Sequence, residues 1–169
     1  MATKQYNNLW LICGPESSGS VFIAKTISYA IGHCKNFGDY SGYGKNNKNN
    51  CENLVTHLGI ENNVQFLGVI SPEEYRSELQ NSLAFLQHSV TADNGDMEGT
   101  PLAVLEASAA GIPVVSTSHA GIPDVIIHEQ TGLLCQEKDV QKMAENIIKL
   151  IEKLDEAKKS LIDDRLKMR

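Results

Sequence analysis

Residues 96–113 read DMEGTPLAVLEASAAGIP, and the way this stretch starts a helix decides what fold surrounds it. Thr100 is suited to cap the helix, Pro101 fits its first position, and Gly99 allows a tight turn just before it. The amides after Thr100 then lie free at the positive end of a helix, where anions bind. An apolar run precedes the stretch at residues 83–86 and another follows at 114–117, so the helix links two expected strands.

The same alternation continues outward. Upstream, a helix is expected at 52–58, a strand at 64–67 and a second helix opened by Ser71, Pro72, Glu73 and Glu74, with serine at the cap and acids at the positive end. Downstream, Val140, Met143, Ala144, Ile147, Ile148, Ile151 and Leu154 form one stripe of a long helix, and alternating charges beyond Asp155 suggest a solvated continuation or frayed end. Short apolar strands joined by helices predict an α/β fold, a Rossmann-like parallel sheet covered by helices. At the other end, NNLWLIC at 7–13 reads as a strand stopped by Gly14 and Pro15, followed by a helix capped by Ser17 or Ser18 that runs to Gly32. Between the two blocks, NFGDYSGYGKNNKNN at 36–50 has the composition of a linker. The expected organisation is an N-terminal strand-loop-helix extension at 1–35, a linker at 36–50 and a single domain at 51–169.

Composition narrows the function. A chain of 169 residues with 41% hydrophobic and 21% charged residues can bury a core, which argues against a disordered or fibrous protein. A net charge of -6 leaves no basic footprint for nucleic acid or anionic lipid. No apolar run approaches bilayer length and residues 1–8 are polar, so a cytoplasmic location is expected. Cys13, Cys34, Cys51 and Cys135 form no Cys-x-x-Cys pair and lack histidines at ligand spacing; reduced structural thiols and no metal site are expected.

In open parallel sheets, ligands bind beyond the carboxyl ends of the strands, where the loop after 83–86 falls. Phosphate is the natural guest of the helix start there. Glu98 precedes the helix while Glu106 lies well inside it, so the two do not form one acid/base dyad. A carboxylate beside phosphate is repulsive unless it points at hydroxyls, which makes sugar or ribose hydroxyls the sensible partners of both. Two solvated surface glutamates are the plainer alternative. His88 and His119 flank the same crevice and are able to hydrogen-bond a sugar or phosphate, although loop histidines are mostly solvated. His33, His57 and His128 read as structural or exposed.

The run EGTPLAVLE at 98–106, followed by ASAAGIPVVSTSHAGIPDVI and then TGLLC, resembles the donor-binding domain of retaining, nucleotide-sugar-dependent glycosyltransferases of family 4. The likeness covers about residues 51–151, with VQFLG, SPEEY, AAGIPVV, GIPDVI and TGLL in order; SVTADNGDMEGTP is similar to the branch that builds colanic acid and other exopolysaccharides. The resemblance implies two Rossmann-like halves of GT-B type, of which this chain shows the second. It implies a hexosyltransferase whose donor is a nucleotide-diphosphate sugar, with no cofactor and no metal, and a glycan or lipid-linked acceptor. A separate acceptor-binding domain or peripheral membrane association is implied too. Glu98 would be the catalytic glutamate facing the donor sugar and Glu106 the one that holds the ribose hydroxyls. Gly99, Thr100, Pro101 and Leu102 would cradle diphosphate and sugar, and Gly121 would let the next strand end approach the ligand. The family's Arg- and Lys-containing stretch has no counterpart, since Lys35, Lys45 and Lys48 do not align with it, and Asp124 stands where glutamate is commoner.

A second signal lies in GPESSGS at 14–20, whose glycines have the spacing of a phosphate-binding P-loop. Ser20 and Val21 stand where that loop needs lysine and then serine or threonine, which disfavours nucleotide hydrolysis. Residues 9–32 resemble the start of a P-loop sulfotransferase. The alternatives to a transferase donor domain are therefore a catalytically incomplete fusion or remnant acting as a non-catalytic nucleotide-binding module, and a sulfotransferase-like protein.

Overall fold

The structure, a computed structural model, describes residues 11–13, 47–67, 70–92 and 95–167. Strand β1 is Leu11–Cys13, helix α1 Asn47–Leu58 and helix α2 Pro72–Gln80, with a 3-10 turn at Glu61–Asn63 between the helices. Then follow β2 (Ala84–Gln87), α3 (Leu102–Ala109), β3 (Val114–Thr117), the short α4 (Ile122–Val125), β4 (Gly132–Cys135) and α5 (Val140–Lys167). Among the described residues the strands form one parallel sheet in the order β1-β2-β3-β4. The expected α/β architecture is the one found.

The period of two along each strand divides the core into two layers. Ala84, Leu86, Val115, Leu133 and Cys135 point to one face, where Met143 and Ile147 of α5 cover them. Phe85 and Val114 point to the other, against Leu79, Val104, Ala107, Ile122 and Ile126 of the remaining helical segments. Both faces of the sheet are dry, which is why these strands read as unbroken apolar runs rather than alternating ones.

Helix α2 starts as its sequence dictates. Ser71 N donates to Glu74 Oε2 at 2.8 Å and Glu74 N donates to Ser71 Oγ at 3.2 Å, a reciprocal cap with Pro72 just inside it. Helix α5 opens on Asp139, whose Oδ1 accepts from Lys142 N at 2.9 Å. It continues through Lys167, so the charged segment beyond Asp155 is helix. Buried Cys135 is a free thiol that burial pushes up to about 11, an inert core group.

Three expectations are corrected. Residues 64–67 form no strand: among the described residues nothing pairs with them, and Gln65, Phe66 and Leu67 are exposed, so the apolar pattern there has no core to enter. Helix α1 begins at Asn47, inside the stretch read as linker. The last glycine of that stretch is Gly44; the Asn residues after it lower helix propensity without forbidding it, and the Lys residues among them favour a helix. Strand β2 is shifted one residue, to Ala84–Gln87. The expected strand-turn-helix of 7–32, with the Gly14–Ser20 loop, lies outside the described residues apart from β1, which pairs with β2. Among the described residues no helix is long and apolar enough to cross a membrane.

Candidate functional site

Because all the strands are parallel, their carboxyl ends lie on one edge, and three loops meet there: 88–101 after β2, 118–121 after β3 and 136–139 after β4. The first carries Glu98. Its base is fixed to β3, since Ser89 N donates to Thr117 Oγ1 at 3.0 Å while the Thr117 hydroxyl donates back to Ser89 O at 2.7 Å. A polar relay then runs outward from the sheet: Gln87 Nε2 donates to Ser89 Oγ at 3.3 Å, and Ser89 Oγ donates to Glu98 Oε2 at 3.4 Å. The relay leads a buried amide to an exposed carboxylate at the edge of the crevice.

Helix α3 begins differently from expectation. Pro101 itself is the cap residue, with φ -59 and ψ 129, and no side chain caps the helix. Thr100 turns instead toward the next loop. A Cβ at Gly121 would collide with Thr100 Oγ1 and lie 3.4 Å from Thr100 Cβ, so Gly121 is small because Thr100 needs the room. Gly121 N also donates to Gly99 O at 3.4 Å. The structure thus brings Gly99, Thr100 and Gly121 together at the α3 start. Gly99 itself faces open space, so its lack of a side chain answers no crowding. Leu102 is 74% exposed, so its side chain packs into neither core layer.

The two glutamates serve different neighbourhoods. Glu98 sits on the Ser89 relay, whereas Glu106, exposed on α3, lies beside Tyr75 of α2. Burial, and then the Glu106 carboxylate, push the Tyr75 phenol up to about 12.

His88 and His119 are buried, not solvated. His119 Nδ1 donates to Glu137 Oε1 at 2.7 Å, and Lys138 N donates to His88 Nε2 at 3.4 Å. Burial depresses His88 to about 4, with nearby Glu137 opposing that shift. Glu137 was not among the expected site residues. It also accepts from Thr91 N at 2.9 Å and from the Thr91 hydroxyl at 3.2 Å. These bonds, His119 first and Thr91 next, hold its carboxyl below the usual carboxylate range. The sequence signal that points to it is its place just beyond the last apolar strand, at the ligand-facing edge of the sheet. Ala120 and Lys138, which follow His119 and Glu137, hold positive φ values of 42 and 65. Each such non-glycine residue costs on the order of 1 kcal/mol and persists where its surroundings over-determine it. Among the described residues, no group of three or more His, Cys, Asp or Glu side chains is arranged to hold a metal ion.

The model of the family described as Glycosyl transferases group 1 matches residues 4–164 of the chain. The amylovoran biosynthesis glycosyltransferase AmsK of Erwinia amylovora is 43% identical over 91 residues, which make up 54% of this chain and 22% of that protein. The putative colanic acid biosynthesis glycosyltransferase WcaL of Escherichia coli (strain K12) is 39% identical over 94 residues, 56% of this chain and 23% of that one. The matched segment is under a quarter of the length of these two curated relatives. Their names agree with the exopolysaccharide branch that residues 89–101 resemble. The crystal structure of Anabaena Alr3699/HepE in complex with UDP and glucose superposes with a TM-score of 0.66 at 20% identity, covering 88% of this chain and 40% of that one, a likeness of fold.

Proposed function

The chain belongs to the group 1 glycosyl transferases, and on that premise we propose that residues 51–169 form the donor-binding unit of a retaining hexosyltransferase of surface-polysaccharide synthesis. The donor is a nucleotide-diphosphate sugar, held at the carboxyl ends of β2 and β3. The observation that carries this reading is the junction of Gly99, Thr100 and Gly121 at the α3 start, with Glu98 on the same loop. Free amides at the start of α3 suit the diphosphate, and two carboxylates with separate surroundings suit hydroxyls at two ends of one ligand. In the reading, Glu98 faces the donor sugar as the catalytic glutamate, Glu106 takes the ribose hydroxyls, and the backbone of Gly99, Thr100, Pro101, Leu102 and Gly121 lines the diphosphate. Such a site works by orienting the donor and stabilising the leaving diphosphate while the acceptor attacks from the same face. UDP bound in the Anabaena relative of this fold supports the ligand class.

The reading extends to organisation. Residues 1–35 are an extension whose strand β1 joins the sheet, and the residues ahead of α1 connect it to the donor unit. The unit works in the cytoplasm, with a glycan or lipid-linked acceptor presented by a separate acceptor-binding domain or at the membrane periphery.

Thermal unfolding with UDP, GDP and adenosine 3′,5′-bisphosphate tests the proposal. A ligand at about a hundred times its Kd stabilises the folded chain by roughly 2.7 kcal/mol. UDP or GDP is expected to produce such a shift and Glu106→Ala to remove it. Stabilisation by adenosine 3′,5′-bisphosphate alone would favour the sulfotransferase-like alternative, and no shift with any of the three contradicts the donor site. Hydrolysis of a bound nucleotide sugar without acceptor would separate a transferase unit from a non-catalytic module.

A further inference from the structure

Three loops meet at the ligand-facing edge of the sheet, and one side chain is bonded to the other two. Glu137, on the loop after β4, accepts from Thr91 N at 2.9 Å, from the Thr91 hydroxyl at 3.2 Å and from His119 Nδ1 at 2.7 Å. Thr91 belongs to the loop that carries Glu98, and His119 stands two residues before Gly121. Resting on the donor-site reading above, we propose that Glu137 is a positioning residue for the nucleotide sugar, a latch that holds the Glu98 loop and the Gly121 turn in one arrangement.

Glu137 does not reach the ligand itself. Both its oxygens are engaged within the protein, Oε2 by the Thr91 amide and Oε1 by the Thr91 hydroxyl and the imidazole. Its effect passes along the 88–101 loop, which has three anchors. The base is fixed by Ser89 to Thr117, the middle by Thr91 to Glu137, and the far end by Gly99 to Gly121. Glu98 lies between the second anchor and the third. Releasing the middle loosens the segment whose carboxylate has to meet the sugar, leaving it held by Ser89 Oγ on Glu98 Oε2 and by Gly99 on Gly121, while the Ser89 backbone still ties the loop base to the sheet. The backbone beside the latch bears the mark of such a constraint. Ala120 and Lys138, the residues after His119 and Glu137, both occupy the left-handed region without being glycine. The Lys138 amide in turn donates to His88 Nε2, which ties the latch to the first residue after β2.

The experiment is calorimetric titration of UDP and GDP into the wild-type chain and the variants Glu137→Ala, Glu137→Gln and Thr91→Val, with a melting curve for each. Glu137→Ala is expected to stay folded and to weaken nucleotide binding about tenfold or more, the scale of loss that misplacing a binding group produces. Glu137→Gln keeps an oxygen able to accept from the Thr91 amide and should recover most of that loss, a rescue that charge removal alone would not give. Thr91→Val removes one of the three bonds and should weaken binding by a smaller factor. Binding by a folded Glu137→Ala within about twofold of wild type, where a positioning role requires a larger change, overturns the proposal. Should Glu137→Ala fail to fold, wild-type affinity in Thr91→Val together with a loss of about tenfold or more in folded Glu137→Gln overturns it instead. A folded wild-type chain that binds neither nucleotide defeats the donor-site reading, and this inference with it; binding that ignores Glu137 defeats this inference alone.

Discussion

Gly132→Ala is expected to lose a large part of the chain's folding stability. Gly132 opens β4 in register with Val114 of β3. A Cβ there would run into the Val114 carbonyl oxygen, lie 3.2 Å from the Val114 carbonyl carbon and come within 2.8 Å of Ile126 Cγ2. Two of these atoms are sheet backbone, which no rotamer change can move. Relief requires β4 to part from β3, and that opens the layers built on Leu133 and Ile126. Strain of this kind costs on the order of 3 kcal/mol or more, against a typical total of about 5–15 kcal/mol. Gly99→Ala is the matched control: its Cβ meets nothing within 4 Å, so its denaturation midpoint should stay near that of wild type. Equal midpoints for the two variants would refute the packing described here.

Acid should destabilise the chain in two stages, the first through His88. Burial lowers its folded pKa from 6.5 to about 4, so between those values the unfolded chain binds a proton that the folded chain refuses. Stability therefore has its full value above pH 6.5 and falls with a slope of up to about 1.4 kcal/mol per pH unit, a loss of roughly 3 kcal/mol by pH 4. Glu137 acts lower on the scale. Its carboxyl is held below 4.5 by His119 and Thr91, so its contribution is present above that value and lost as pH falls through the folded pKa. Denaturant unfolding from pH 7 down to about pH 2 reads both. His88→Gln should flatten the upper stage and leave the lower one; an unchanged upper slope would mean that another group carries it.

What was legible in the sequence follows from range. Val114–Thr117 is found at its expected position because a β-favouring Val-Val-Ser-Thr run, bounded by Pro113 and the His119 turn, reads locally as a strand. The α2 cap is equally local, its serine and glutamate three residues apart. Residues 64–67 show the same apolar pattern and fail as a strand, because pairing depends on a neighbour that local sequence does not describe. Thr100 has the right chemistry for a cap, yet its side chain is taken by the approach of Gly121, some twenty residues on. Glu98 and Glu106, the proposed ligand groups, lie in one segment and could be picked out together. Glu137 could not, because its partner Thr91 is 46 residues away. His88 and His119 were misjudged for the same reason: their loops look polar in sequence, but the three strand ends close over them.

On the donor-site proposal, the junction of the β2 and β3 loops at the start of α3 takes a nucleotide diphosphate. The most direct measurement is an amide chemical-shift titration of the isotopically labelled chain with UDP and then GDP. Saturable shifts concentrated on residues 98–106 and 119–122 are expected, with lesser changes at Thr91 and Glu137. Shifts confined to residues 14–20, or none anywhere at saturating nucleotide, would contradict it.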